Sequence, residues 1–187
     1  MRWFPFRAVC FEGGVFHATL LIRIANFSFM RKNLILFVLS LLAVVSSCTR
    51  VAVPGLRVGD TLPRFEAMAI DGRTFTTDEL RGSTSVVVFF NTWCPDCHEL
   101  LPVVQAYYND TNHEIAYVCI ARGQKIGEVR PFWKENEFTM TAVEDPARQI
   151  YDKFTGDESP GVPLIYILDK YGVISDILKP GDGFALW

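Results

Sequence analysis

Histidine is scarce in this sequence, three in 187 residues, and only His98 stands beside a cysteine pair. A zinc ion on Cys94 and Cys97 would need two further ligands, and His98 with the distant Cys119 or His113 makes a poor set, so no metal is expected. A basic excess is missing too. Five of the 18 basic residues (Arg2, Arg7, Arg23, Arg31 and Lys32) precede residue 48, which leaves 13 bases against 20 acids from Cys48 onward, a net −7. A surface of that sign repels phosphate backbones and excludes nucleic acid as an expected partner. The apolar run from Leu34 to Val45 falls short of the roughly twenty residues a spanning helix wants. Internal repeats and low-complexity tracts are also absent, which excludes solenoids and disordered arrays.

What is present is core material: half of the residues are apolar and 13% aromatic, enough for one compact domain. Met30 to Cys48 has a short basic start (Arg31, Lys32), the apolar run, and then Ser46-Ser47-Cys48, the layout of a secretory signal. Its ending, Val45-Ser46-Ser47-Cys48, resembles a bacterial lipobox, in which cleavage precedes the cysteine and its thiol carries lipid. Residues 1–29 show neither helical nor alternating periodicity, and are expected to be an extension upstream of a true start at Met30. The expected organisation is therefore extension 1–29, lipoprotein signal 30–47, tether 48–57 and domain 58–187. The expected location is outside a bacterial cell membrane, anchored through Cys48 and facing the periplasm or the cell exterior.

Within the domain, Phe65 to Ile70 and Thr74 to Thr76 flank Asp71-Gly72, which predicts a hairpin; Thr77 or Asp78 should cap a short turn ending at Gly82. Ser85 to Phe90 is β-branched and apolar throughout, the mark of a central strand covered on both faces. A helix is expected over 95–108, with Pro95 in its first turn. Strands at 114–121, 142–143, 164–168 and 173–178, with helices at 128–136 and 147–154, complete an α/β sandwich with a mixed sheet.

The chemistry concentrates in Asn91-Thr92-Trp93-Cys94-Pro95-Asp96-Cys97-His98. Two cysteines separated by two residues, between a buried strand and a helix, put the first sulfur at the helix N-terminus, where unpaired N–H groups favour a thiolate. The second lies one turn on, within disulfide reach. Such a pair can attack a foreign disulfide and then resolve the mixed disulfide internally. Rival readings remain. A structural disulfide closing so short a loop constrains the unfolded chain little. Cys94-x-x-Cys97-His98 also matches the c-type haem attachment string, although its place after a buried strand and its Pro95 argue against it. Cys119, inside an apolar strand, reads as an inert core thiol, and Phe132 and Trp133 read as packing residues.

With Gly59-Asp60-x-Leu62-Pro63-x-Phe65, Trp93-Cys94-Pro95-Asp96-Cys97 and Gly161-Val162-Pro163, the chain resembles the thioredoxin superfamily, specifically the TlpA/ResA-like membrane-tethered thiol-disulfide oxidoreductases with a redoxin (AhpC/TSA-like) domain. The resemblance spans about Val58 to Ile177. It implies a three-layer sandwich, Cys94 as nucleophile, Cys97 as resolving thiol, and Pro163 as a cis-proline facing them, with Trp93, Pro95, Asp96 and Val162 around the pair. It implies no cofactor, protein thiol and disulfide substrates such as apocytochrome c, and a membrane electron donor. Three features depart from the family. The acid expected three residues after the second cysteine is replaced by Leu100, with Glu99 one residue early and turned by about 100°. His98 replaces a basic or small residue and is expected to be exposed. The usual C-terminal helix is missing, since Lys179-Pro180-Gly181-Asp182-Gly183 leaves only Phe184 to Trp187. A disulfide donor and a thiol peroxidase are the other enzyme readings, and the peroxidase lacks its Thr-x-x-Cys signature because Asn91 precedes Cys94 by three.

Overall fold

The computed structural model describes residues 52–111 and 114–183; the expected signal, Cys48 and the last four residues lie outside them. Seven strands and three helices follow in order: β1 (Glu66–Met68), β2 (Thr74–Thr76), β3 (Ser85–Phe90), α1 (Pro95–Asp110), β4 (Ala116–Arg122), α2 (Ile126–Glu135), β5 (Thr141–Asp145), α3 (Gln149–Thr155), β6 (Leu164–Leu168) and β7 (Ile174–Leu178). The main sheet runs β5-β4-β3-β6-β7. Strands β3, β4 and β5 are mutually parallel, while β6 runs antiparallel to β3 and β7 to β6, so the expected mixed sheet is found.

Alternation along the strands divides the core in two. Val86, Val88 and Phe90 face Cys97, Leu101 and Val104 of α1 and Val129 and Trp133 of α2. Val87 and Phe89 face Ile150, Tyr151 and Phe154 of α3, together with Phe65 and Phe75 of the β1–β2 hairpin. All six residues of β3 are buried, which is why the sequence there shows no polar alternation. Among the described residues no helix follows β7, and no helix is long and apolar enough to cross a membrane.

Several boundaries differ from expectation for local reasons. The first hairpin pairs only Glu66–Met68 because the next residues turn to β5: Ala69 bridges Val143, and the Ile70 N–H donates to Ala142. Thr76, not Thr77 or Asp78, precedes the short 3-10 turn over Thr77–Leu80, and its N–H is held by Glu79 at 2.9 Å. Thr77 instead accepts from the Phe65 N–H at 2.7 Å. Helix α3 starts at Gln149 rather than Ala147, because the Asp145 carboxylate takes the N–H groups of Ile150 and Tyr151.

The tether expected over 48–57 is corrected from Val53 onward, where the chain is docked. Val53 N–H donates to Asp157 Oδ2 at 2.8 Å, and Leu56 N–H to the Phe154 carbonyl at 2.7 Å. Gly156 sits at φ 54°, and a Cβ there would come within 2.1 Å of the Val53 carbonyl oxygen, so this contact admits only glycine.

Candidate active site

Strand β3 delivers Asn91 to Cys94 at its C-terminal end, and α1 begins at once. Cys94 is the N-cap residue and Pro95 occupies the first turn, where its missing N–H costs no helical bond. The Cys94 carbonyl accepts from the N–H groups of Cys97 (3.1 Å) and His98 (3.2 Å). That turn places Cys97 on the sheet-facing side of the helix, so the two sulfurs are unequal: Cys94 is 7% exposed and Cys97 0%. Both are free thiols. Burial pushes the Cys97 thiol far up; the Asn91 backbone N–H acts against this, and the neighbouring Cys94 and Asp96 reinforce it. Cys119 lies in β4, fully buried, and its thiol is also pushed far up by burial, as suits an inert core group.

Opposite the pair, the Val162–Pro163 peptide is cis, and the Cys94 thiol donates to the Val162 carbonyl at 3.5 Å. The structure thus brings Cys94, Cys97, Val162 and Pro163 together. Trp93 is 69% exposed beside them, and Pro95 and Asp96 are exposed in the first turn of α1. Glu99 is exposed and is not among the groups that perturb Cys97, in line with its one-residue displacement. His98 is exposed as expected, its Nε2 donating to the Thr92 carbonyl at 2.6 Å and its ring 4.9 Å from that of Phe132. Haem attachment needs Cys97 and His98 turned towards one haem, whereas here Cys97 faces the core and His98 faces outward.

Sequence reasoning missed the groups that hold this turn. Gln124, just beyond β4 and buried, accepts from the Thr92 N–H (2.9 Å) and from Asn91 Nδ2 (3.3 Å) and donates to Thr92 Oγ1 (2.8 Å). Asn91 Nδ2 also donates to the Arg122 carbonyl. Tyr151 fixes the facing loop: its hydroxyl accepts from the Gly161 N–H (2.9 Å) and donates to the Gly161 carbonyl (3.0 Å). A polar residue two positions past a buried parallel strand is the available signal for Gln124; nothing in the sequence marks Tyr151.

Fold and thiol pair place the chain in the thioredoxin-like class of thiol-disulfide oxidoreductases. It belongs to the AhpC/TSA family, whose model matches residues 58–177. The thioredoxin-like protein YneN of Bacillus subtilis (strain 168) is 24% identical over 126 residues, covering 66% of this chain and 72% of that one. The thiol-disulfide oxidoreductase ResA of Geobacillus thermodenitrificans (strain NG80-2) is 24% identical over 122 residues, covering 65% and 68%. Among solved structures, a putative protein disulfide isomerase from Bacteroides thetaiotaomicron superposes with a TM-score of 0.60 at 25% identity, covering 66% of this chain and 79% of that one. A secreted Mycobacterium tuberculosis disulfide oxidoreductase homologous to E. coli DsbE gives 0.56 at 21%, covering 65% and 87%.

Proposed function

We propose that this oxidoreductase reduces protein disulfides in the cell envelope through Cys94 and Cys97, anchored by lipid on Cys48 and recharged by a membrane electron donor, with apocytochrome c cysteines as one substrate. The observation that carries the roles is the inequality of the two sulfurs. Cys94, at the helix start and against the Val162 carbonyl, is the one a partner can meet. Its thiolate attacks one sulfur of the substrate disulfide, the substrate S–S bond breaks, and the other substrate sulfur leaves as a thiolate. Cys97 then loses its proton and attacks Cys94 in the mixed disulfide. The substrate leaves as a dithiol, the Cys94–Cys97 disulfide forms, and two electrons have moved to the substrate. Burial that keeps Cys97 protonated keeps it from competing in the first step.

The reductive direction is decided by the potential, because a strong oxidant owes its potential to a stabilised reduced form. The expected potential is below about −200 mV, nearer the roughly −270 mV of thioredoxin than the roughly −120 mV of a periplasmic oxidant. Equilibration with dithiothreitol measures it, and a value above about −150 mV makes the protein a disulfide donor. Roles are tested by trapping: Cys97→Ser should accumulate mixed disulfides with partners and Cys94→Ser should form none. The reverse pattern overturns the assignment.

A further inference from the structure

We propose that Arg122 and Arg148, stacked on the Tyr151 ring, form a carboxylate-binding subsite beside the thiols, so that the protein favours disulfide substrates carrying an acidic side chain a few residues from the reacting cysteine. The proposal rests on the thiol-exchange reading above and names the substrate class of that site.

Topology puts the arginines at the right end of the molecule. Strands β3, β4 and β5 are parallel, so Cys94 after β3, Arg122 at the end of β4 and Arg148 after β5 all lie at the carboxyl ends of the strands, where open α/β sheets hold their ligands. Arg122 Cζ stands 4.5 Å and Arg148 Cζ 5.4 Å from the centroid of the Tyr151 ring. The hydroxyl of that ring holds both polar groups of Gly161, and the next residue, Val162, carries the carbonyl that meets Cys94 Sγ. The guanidinium pair is thus tied through one side chain to the loop that faces the thiols.

Charge bookkeeping in this corner is incomplete. Asp145 is committed to the N–H groups of Ile150 and Tyr151, and Glu144 to that of Ile126 at 2.8 Å. Asp152 takes Arg148 Nη2 at 3.3 Å, and Ser159 Oγ accepts from the same atom at 3.2 Å. Arg122 has no ion pair among the described residues, and Nε of each arginine is buried without an acceptor. Attraction to the ring explains one arginine there. A second like charge on the same ring, with an acid surplus of seven from Cys48 onward and none of it spent on Arg122, points to an anion supplied from outside. A carboxylate suits a guanidinium fork, and Arg122 and Arg148 remain only part-buried, open to an incoming chain.

The test uses short synthetic peptides, each closed by one disulfide, with Asp scanned from one to four residues on either side of a cysteine and Asn as the neutral match. The rate at which reduced protein opens each peptide is the readout. At one position the Asp peptide should react about three- to tenfold faster than its Asn match, the gain expected of one charge-assisted contact at a part-exposed site, and high salt should shrink the ratio. Arg122→Met, which keeps an apolar stem over the ring, should bring the ratio to about one while the Asn peptide stays within about twofold; Arg148→Gln should lower the ratio as well. A wild-type protein without preference for Asp at any position overturns the proposal, as does a ratio that survives Arg122→Met, or an equal slowing of both peptides. If the wild type opens neither peptide, the thiol-exchange reading fails and this proposal with it.

Discussion

Alkaline pH should weaken the dithiol form of the protein about twice as steeply as the disulfide form. Cys97 and Cys119 are both wholly buried, and burial holds both thiols far above their ordinary value. In the unfolded chain each returns to about 8.5. Their contribution to stability is thus fully present below that value and falls as pH rises past it, because the unfolded state sheds protons that the folded state keeps. Between pH 7.5 and 9.5 one such thiol accounts for a loss of between roughly 1 and 2 kcal/mol, and the two together for between roughly 2 and 3 kcal/mol. Oxidation to the Cys94–Cys97 disulfide removes both of its thiols from the titration and leaves Cys119 as the buried thiol that contributes, between roughly 1 and 2 kcal/mol. Tyrosines and lysines titrate alike in the two redox forms and cancel in the comparison. Urea denaturation of the pre-reduced and pre-oxidised protein at the two pH values measures the difference. Equal pH dependence in the two forms would mean that the Cys94–Cys97 pair sheds its protons as readily folded as unfolded, and would refute the division of labour between the sulfurs.

Strands β3 and β6 were legible to the residue, because a strand covered on both faces is apolar without alternation and is bounded by turn residues. The thiol pair was legible for a related reason: the strand, Pro95 and the spacing of Cys94 and Cys97 are all local. What could not be read is non-local. Gln124 reaches the Asn91–Thr92 turn from 32 residues away, where only the pairing of β3 with β4 brings it, and Tyr151 reaches Gly161 across the loop after α3 by a side-chain contact that no local pattern announces. The expected start of α3 at Ala147 lies two residues early because Asp145, a strand residue by backbone, serves the helix with its side chain. A Pro-Gly segment reads as tether, and nothing in it announces that Val53 and Leu56 pair with Asp157 and Phe154 about a hundred positions on.

Three further outcomes are expected. Cys48→Ala should abolish incorporation of labelled palmitate and release the protein from membranes; a wild type that takes up no label removes the lipid anchor. Glu99→Gln should change the exchange rate by less than about tenfold, below the 10²-fold or more typical of a true general acid or base, and a larger loss at unchanged stability would bring Glu99 into the mechanism. Tyr151→Phe isolates the hydroxyl from the ring. The ring keeps its edge contact with Phe89 at 5.3 Å and its place under Arg122, while the Gly161 N–H and carbonyl both lose their partner. Two neutral hydrogen bonds at about 1 kcal/mol each give a loss of about 2 kcal/mol. At about 2.1 cal/mol/K per residue over roughly 130 folded residues, that lowers Tm by about 7 °C. The rate against a small neutral disulfide should fall as the loop carrying Val162 loosens, yet the preference for acidic peptides should persist, because the guanidinium pair rests on the ring face. A melting temperature within about 2 °C of wild type would show that Gly161 finds water instead and that Tyr151 does not hold the loop against Cys94.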